Sequence, residues 1–180
     1  LDYKSLIKKH DKVILLGMTS ADLKFDEKAF FNFPEYIIRS MKNSPDNWLW
    51  LVRLHPSYLR LVDPLVDYFE ELNINNVEVK KTSVIHLLDL LENVDIFISS
   101  RTSVIFDAMK FNLPIAVTEY DGFKQYENLI NQGYISYAND EDSLESIIKT
   151  KKIIDSEAFA ENYISTNSID MNNVLNKILY

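Results

Sequence analysis

The densest group of chemically capable side chains is Ser99-Ser100-Arg101-Thr102-Ser103, followed by Val104-Ile105-Phe106-Asp107-Ala108-Met109. A short apolar run, Asp95-Ile96-Phe97-Ile98, ends here and a helical pattern begins. A helix start offers unpaired backbone N–H groups and a partial positive charge. A phosphate accepts those N–H bonds, the hydroxyls of Thr102 and Ser103 add more, and Arg101 supplies charge-assisted ones. Ser103 and Asp107 stand four apart, on the helix face opposite Val104, Ile105, Ala108 and Met109. A carboxylate one turn below an anion site can accept hydrogen bonds from both hydroxyls of a ribose, as acidic residues do in dinucleotide sites. The plainer reading uses the same residues. Serines and threonines before a helix are ordinary N-caps, and Asp107 with Lys110 is an ordinary surface pair. Sequence chemistry leaves both open.

These residues must be held by a scaffold, and the apolar pattern supplies one. Short continuous apolar runs read as buried strands at Val13-Ile14-Leu15-Leu16, Trp48 to Leu54, Val77-Glu78-Val79, Asp95 to Ile98 and Pro114 to Thr118, with a brief edge strand at Tyr134 to Tyr137. Helical spacing is predicted over Asp26–Met41, Ser57–Leu72, Val84–Leu91, Ser103–Phe111 and Gln125–Asn131, the last stopped by Gly133 as a left-handed cap. Asp140–Lys149, Ser156–Tyr163 and Ile169–Leu179 follow as helices. Strands alternating with helices predict an α/β fold, doubly wound, with a mostly parallel sheet of about six strands and carboxy-terminal helices. Ligands in such folds sit beyond the carboxyl ends of the strands, where strand order reverses. The informative segments are therefore Gly17-Met18-Thr19-Ser20, His55-Pro56-Ser57, Lys80-Lys81-Thr82-Ser83, Ser99 to Ser103 and Glu119-Tyr120-Asp121. His55 has a second reading as the turn into a helix with Pro56 at its first position. His86, inside an apolar helix, and His10 carry no role.

Composition removes several chemistries. The 180 residues suit one domain and hold no cysteine, which excludes disulfides, thiolate metal sites and cysteine nucleophiles. A net charge of −8 argues against nucleic acid as a partner. No apolar run approaches the ~20 residues of a membrane span, and no signal peptide is visible. A cytoplasmic setting is the expectation. Glycine occurs only at Gly17, Gly122 and Gly133, too few for a glycine-rich phosphate loop. No zinc motif and no Ser-His-Asp order is present, and Asp140-Glu141-Asp142 reads as a helix start, so neither a metal nor another cofactor is expected.

The run Val94 to Met109, followed by Asn112-Leu113-Pro114-Ile115, resembles the carboxy-terminal domain of GT-B glycosyltransferases and is similar to the polyglycerol-phosphate transferases of wall and capsule synthesis. Those families carry an Asp opening a strand, a Ser-rich turn, an acidic residue before a small one, and a stretch leading to Pro and the next strand. Leu54-His55-Pro56 stands where the phosphotransferases have His-Pro. The resemblance covers about residues 12 to 150. It implies a Rossmann-like donor-binding domain over residues 1–155, a helical tail over 156–180, and an amino-terminal acceptor domain outside this chain. Thr102 and Ser103 would hold a donor diphosphate, with Arg101 beside them. Asp107 would bind the ribose, where many members have the longer Glu. Gly17 and Thr19 would approach the phosphates, and Thr82 and Ser83 would open the helix whose backbone reads the base. His55 would face the cleft as the catalytic candidate. The implied partners are a nucleotide-activated sugar donor and a surface-polysaccharide acceptor. A non-catalytic scaffold relative and a nucleotide-sugar epimerase of the same fold are the alternatives.

Overall fold

The computed structural model describes residues 3–23 and 31–150. Its centre is a six-stranded, all-parallel sheet. The strands are β1 (Lys12–Gly17), β2 (Trp48–Arg53), β3 (Val77–Glu78), β4 (Ile96–Ser99), β5 (Ile115–Thr118) and β6 (Ser136–Ala138). Their order is β3-β2-β1-β4-β5-β6, so the winding reverses between β1 and β4. Gly17, the last residue of β1, pairs with Arg53 of β2 on one side and Ser99 of β4 on the other.

Side chains alternate across the sheet and build a core on each face. Ile14, Leu16, Trp50, Val52, Ile96 and Ile98 point to one side. There they meet α2 (Glu35–Asn43), α3 (Val62–Glu71) and α8 (Glu141–Lys149) through Ile37, Met41, Leu65, Phe69, Leu144 and Ile148. Val13, Leu15, Leu49, Leu51, Phe97 and Val117 point to the other. That face is covered by α5 (Leu87–Leu91), α6 (Val104–Lys110) and α7 (Tyr120–Asn131), with α1 (Tyr3–Ile7) at its margin. Helices on both faces leave each strand buried on two sides, which is why the strands are continuous apolar runs.

Four helix boundaries differ from the sequence pattern. The helix expected over Gln125–Asn131 is the longer α7, which starts at Tyr120. The helix expected over Asp26–Met41 begins at Glu35 in its described part, and Phe31 instead pairs with Leu23 in an antiparallel bridge. Pro34 sets this limit, because proline lacks an N–H and keeps Phe33 out of helical geometry. The helix expected over Ser57–Leu72 is a 3-10 segment, Pro56–Leu61, running into α3 with non-helical geometry at Tyr58. The helix expected over Val84–Leu91 is two short ones, α4 (Lys80–Val84) and α5, separated by extended Ile85 and His86. His86 is thus the residue before α5, not part of a helix. The predicted segments at residues 24–30 and the helical tail at 156–180 lie outside the described residues.

Helix ends use asparagine where a glycine-poor chain has little choice. α3, α6 and α7 each end in a left-handed residue: Asn73 (φ 56°), Asn112 (φ 55°) and Gly133 (φ 77°). At α7, the Gly133 amide donates to the Ile130 carbonyl and the Tyr134 amide to the Leu129 carbonyl, the paired bonds of a Schellman end. Asn73 and Asn112 repeat the pattern. At α8 the Asp140 carboxylate accepts from the Ser143 amide at 2.7 Å, and the Ser143 hydroxyl closes a capping box.

Candidate functional site

Strand order reverses between β1 and β4, and the carboxyl edge of the sheet at such a reversal is where these folds hold ligands. Two hydroxyl bonds tie the ends of β1 and β4 together. Ser99 Oγ donates to the Gly17 carbonyl at 2.6 Å, and Thr19 Oγ1 lies 3.0 Å from Ser100 Oγ. A Cβ at Gly17 would stand 2.9 Å from Phe97 Cε2 and 3.0 Å from its Cζ, so a larger residue there would have to displace that buried ring. The segment after β1 then turns through a 3-10 segment, Ser20–Asp22. Asp22 is buried, and its Oδ2 accepts from the Thr19 amide at 2.5 Å and the Thr19 hydroxyl at 3.0 Å. Burial raises its pKa above the ordinary carboxylate value, with the Thr19 bonds working the other way.

The turn from Ser99 to Ser103 is held from behind by α7. Gly122 lets that helix approach the Ser100 carbonyl, which would lie 2.3 Å from any Cβ added there. The buried Tyr126 hydroxyl donates to the Thr102 carbonyl at 2.7 Å and accepts from Gln125 Nε2 at 3.0 Å. Thr102 rather than Ser103 caps α6: its Oγ1 accepts from the Val104 amide at 3.3 Å, while Ser103 makes no capping bond and is exposed. α6 has seven residues, so its dipole is short.

Glu119 leads from β5 into α7 with φ 63° and ψ 152°. That region is essentially restricted to glycine and costs about 1–3 kcal/mol for other residues. Burial raises the pKa of its carboxyl, followed by the charges of Asp22 and Asp121, while Arg101 works against them. Nearby Tyr36 donates to the Ala138 carbonyl at 3.0 Å, and burial pushes its phenol up to about 12.

The remaining predicted residues are distributed around this edge. Asp107 is partly exposed and bonded to Lys110 at 3.0 Å, the geometry of an ordinary surface pair. His55 is exposed; its Nδ1 accepts from the Ser57 amide at 3.2 Å and its ring lies 6.0 Å from that of Tyr58, so it caps the 3-10 segment opened by Pro56. Thr82 and Ser83 do not open a helix, as the resemblance implied, but lie inside α4. Both are buried, the Thr82 hydroxyl donating to the Glu78 carbonyl and Ser83 Oγ accepting from the Leu54 amide. The carbonyls of Thr82 and Ile85 accept from Arg53 Nη1. Asp95 sits at the opposite edge, where its Oδ2 accepts from the Val13 amide at 2.7 Å.

Sequence reasoning placed Glu119 in a segment at a strand end but missed Asp22, Arg53, Gly122 and Tyr126. Of these, only Gly122 carried a legible signal, as one of three glycines placed just after a strand.

No family model matches the sequence, and no curated protein matches it significantly. Solved structures do match in fold. Anabaena HepE in complex with UDP-glucose superposes with a TM-score of 0.64 at 15% identity, over 97% of this chain and 50% of that one. The fold is that of an α/β unit of GT-B glycosyltransferases. A variant of the wall teichoic acid polymerase TagF gives 0.60 at 18% identity, over 92% of this chain and 43% of that one. WaaG, a glycosyltransferase involved in lipopolysaccharide biosynthesis, gives 0.54 at 15%, over 88% and 45%. The chain spans about half the length of the structures it matches. No helix among the described residues is long and apolar enough to cross a membrane.

Proposed function

We propose that this chain is the donor-binding half of a transferase that moves a sugar, or a polyol phosphate, from a nucleotide-activated donor to a surface-polysaccharide acceptor. The observation that carries the reading is the hydroxyl-rich turn held at the winding reversal. This turn, Ser99 to Ser103, is braced by Gly122 and Tyr126 and tied to β1 through Thr19. Fixed amides and hydroxyls stabilise a diphosphate leaving group because they need no reorganisation as charge develops. Ser103, with its hydroxyl uncommitted to the helix cap, and Thr102 are the proposed diphosphate contacts. Asp107 is the proposed ribose contact, reached by giving up an exposed ion pair with Lys110 that is worth little in water. His55 faces solvent at the end of β2 as the candidate for contact with the transferred group. The acceptor site and any further catalytic base belong to a second, amino-terminal domain, and the unit works in the cytoplasm.

The ion pair of Asp107 and the backbone bond of His55 favour a second reading, a non-catalytic scaffold relative in which those residues are structural. Calorimetric titration with UDP, CDP and GDP separates the two. Binding at millimolar concentration or tighter, weakened by Ser103→Ala and by Asp107→Ala by about 1–3 kcal/mol, supports donor binding. Failure of all three nucleotides to bind supports the scaffold.

A further inference from the structure

Arg53 ends β2 and stands beside Gly17 in register. Alternation along the strand places it on the same sheet face as Leu49 and Leu51, the face that Val13, Leu15 and Phe97 also serve. Its Nη1 donates to the carbonyls of Thr82 at 2.5 Å and Ile85 at 2.7 Å, which secures the break between α4 and α5. Those bonds use one nitrogen of a planar fork that carries five N–H donors. The Nε and Nη2 edge has no partner among the described residues. No carboxylate pairs with Arg53 there either, although the group is half-buried and burial lowers its pKa. A partly desolvated cation without a counter-charge is unfavourable until an anion joins it. Arg101 is in the opposite situation: it is exposed, and the Glu119 carboxylate already feels its charge. Register places Arg53 beside Gly17 at the carboxyl end of β1, next to the point where strand order reverses.

We propose that Arg53 is an anion-binding residue of the sheet's carboxyl edge, its Nε–Nη2 edge taking a phosphate of a nucleoside diphosphate beside the end of β1. The inference rests on the nucleotide reading above and moves the principal cation from Arg101 to a residue outside the hydroxyl-rich turn. Guanidinium forks suit bidentate phosphate contacts in a way that a lysine ammonium does not.

The chain has four arginines, Arg39, Arg53, Arg60 and Arg101. Nitrogen-15 NMR of their Nε–H groups can therefore be followed one by one while the chain is titrated with inorganic pyrophosphate and then with UDP, CDP and GDP. Arg39→Lys, Arg60→Lys and Arg101→Lys assign three signals, so the fourth is identified without altering Arg53. The expected result is a saturable shift of the Arg53 signal. R53K should also weaken diphosphate binding about tenfold or more while changing affinity for the parent nucleoside by less than about twofold. Equal losses for nucleoside and diphosphate would reduce Arg53 to a support for the turn after α4 and overturn the proposal. An unmoved Arg53 signal with nucleotide bound overturns it and leaves the nucleotide reading intact. Absence of nucleotide binding by the unaltered chain overturns both.

Discussion

Gly122→Ala is a sharp test of how the Ser99–Ser103 turn is held in place. Gly122 lies in the first turn of α7 with ordinary helical geometry, so by propensity alone alanine would stabilise the helix by about 1 kcal/mol. The surroundings reverse that sign. The added methyl would stand 2.3 Å from the Ser100 carbonyl oxygen and 2.7 Å from Val117 Cγ1. A comfortable carbon–oxygen approach is about 3.3 Å or more, so roughly 1 Å must be found. Neither neighbour is the loose end of a long side chain: one is backbone at the end of β4, the other a buried branch on β5. Overpacking of this kind costs about 1–3 kcal/mol, leaving a net loss of up to about 2 kcal/mol once the propensity gain is counted. For a domain of this size that lowers Tm by up to about 8 °C. Relief moves the Ser100 peptide, whose side chain meets Thr19 after β1, so nucleotide affinity should fall with stability. Urea unfolding and calorimetric titration of the same preparation measure both. A variant that melts above the parent temperature would show that α7 does not press on that turn.

Further expectations follow from strained or titrating groups. Glu119→Gly should stabilise the fold by about 1 kcal/mol, because release of about 1–3 kcal/mol of strain exceeds the entropic cost of glycine; Glu119→Ala, which cannot adopt φ 63° comfortably, should show no such gain in urea unfolding. Asp22 has a raised pKa in the folded chain, so its contribution to stability is present below the ordinary carboxylate value and lost as pH rises through the raised one. Unfolding free energy measured from about pH 4 to 7 should therefore fall less steeply for Asp22→Asn than for the parent. Asp140 is the reverse case, its pKa lowered by the Ser143 bonds, so its capping contribution is present above the ordinary value and lost as pH falls through the depressed one. Asp140→Ala should lower the thermal midpoint at neutral pH, and that difference should shrink in acid.

The sheet was legible because its strands are buried on both faces and read as unbroken apolar runs, from Val13-Ile14-Leu15-Leu16 to Ile115-Ala116-Val117. Helix boundaries were less so. Apolar spacing continues through Phe30 and Phe33, yet Pro34 overrides it at Glu35. The spacing through Val84 to Leu91 gave no sign that Arg53, some thirty residues earlier in sequence, would take the carbonyls at the break after α4. The site shows the same division. The Ser99–Ser103 turn stood out by composition, and its link to Thr19 follows from the strand order. Arg53 did not stand out, since a charged residue closing a strand usually marks the solvent edge. Glu119 fell in a segment marked by its place after a strand, but its backbone geometry, reserved for glycine, is invisible when the residue is glutamate.

Nucleotide binding at the ends of β1 and β4 is most directly tested by mapping backbone amide shifts during titration with UDP, CDP and GDP. Shifts concentrated at residues 17–20, 53–57, 99–103 and 119–122 are the predicted result. Shifts confined to the opposite sheet edge, around Asn73 to Glu78, or none with any nucleotide, would contradict it.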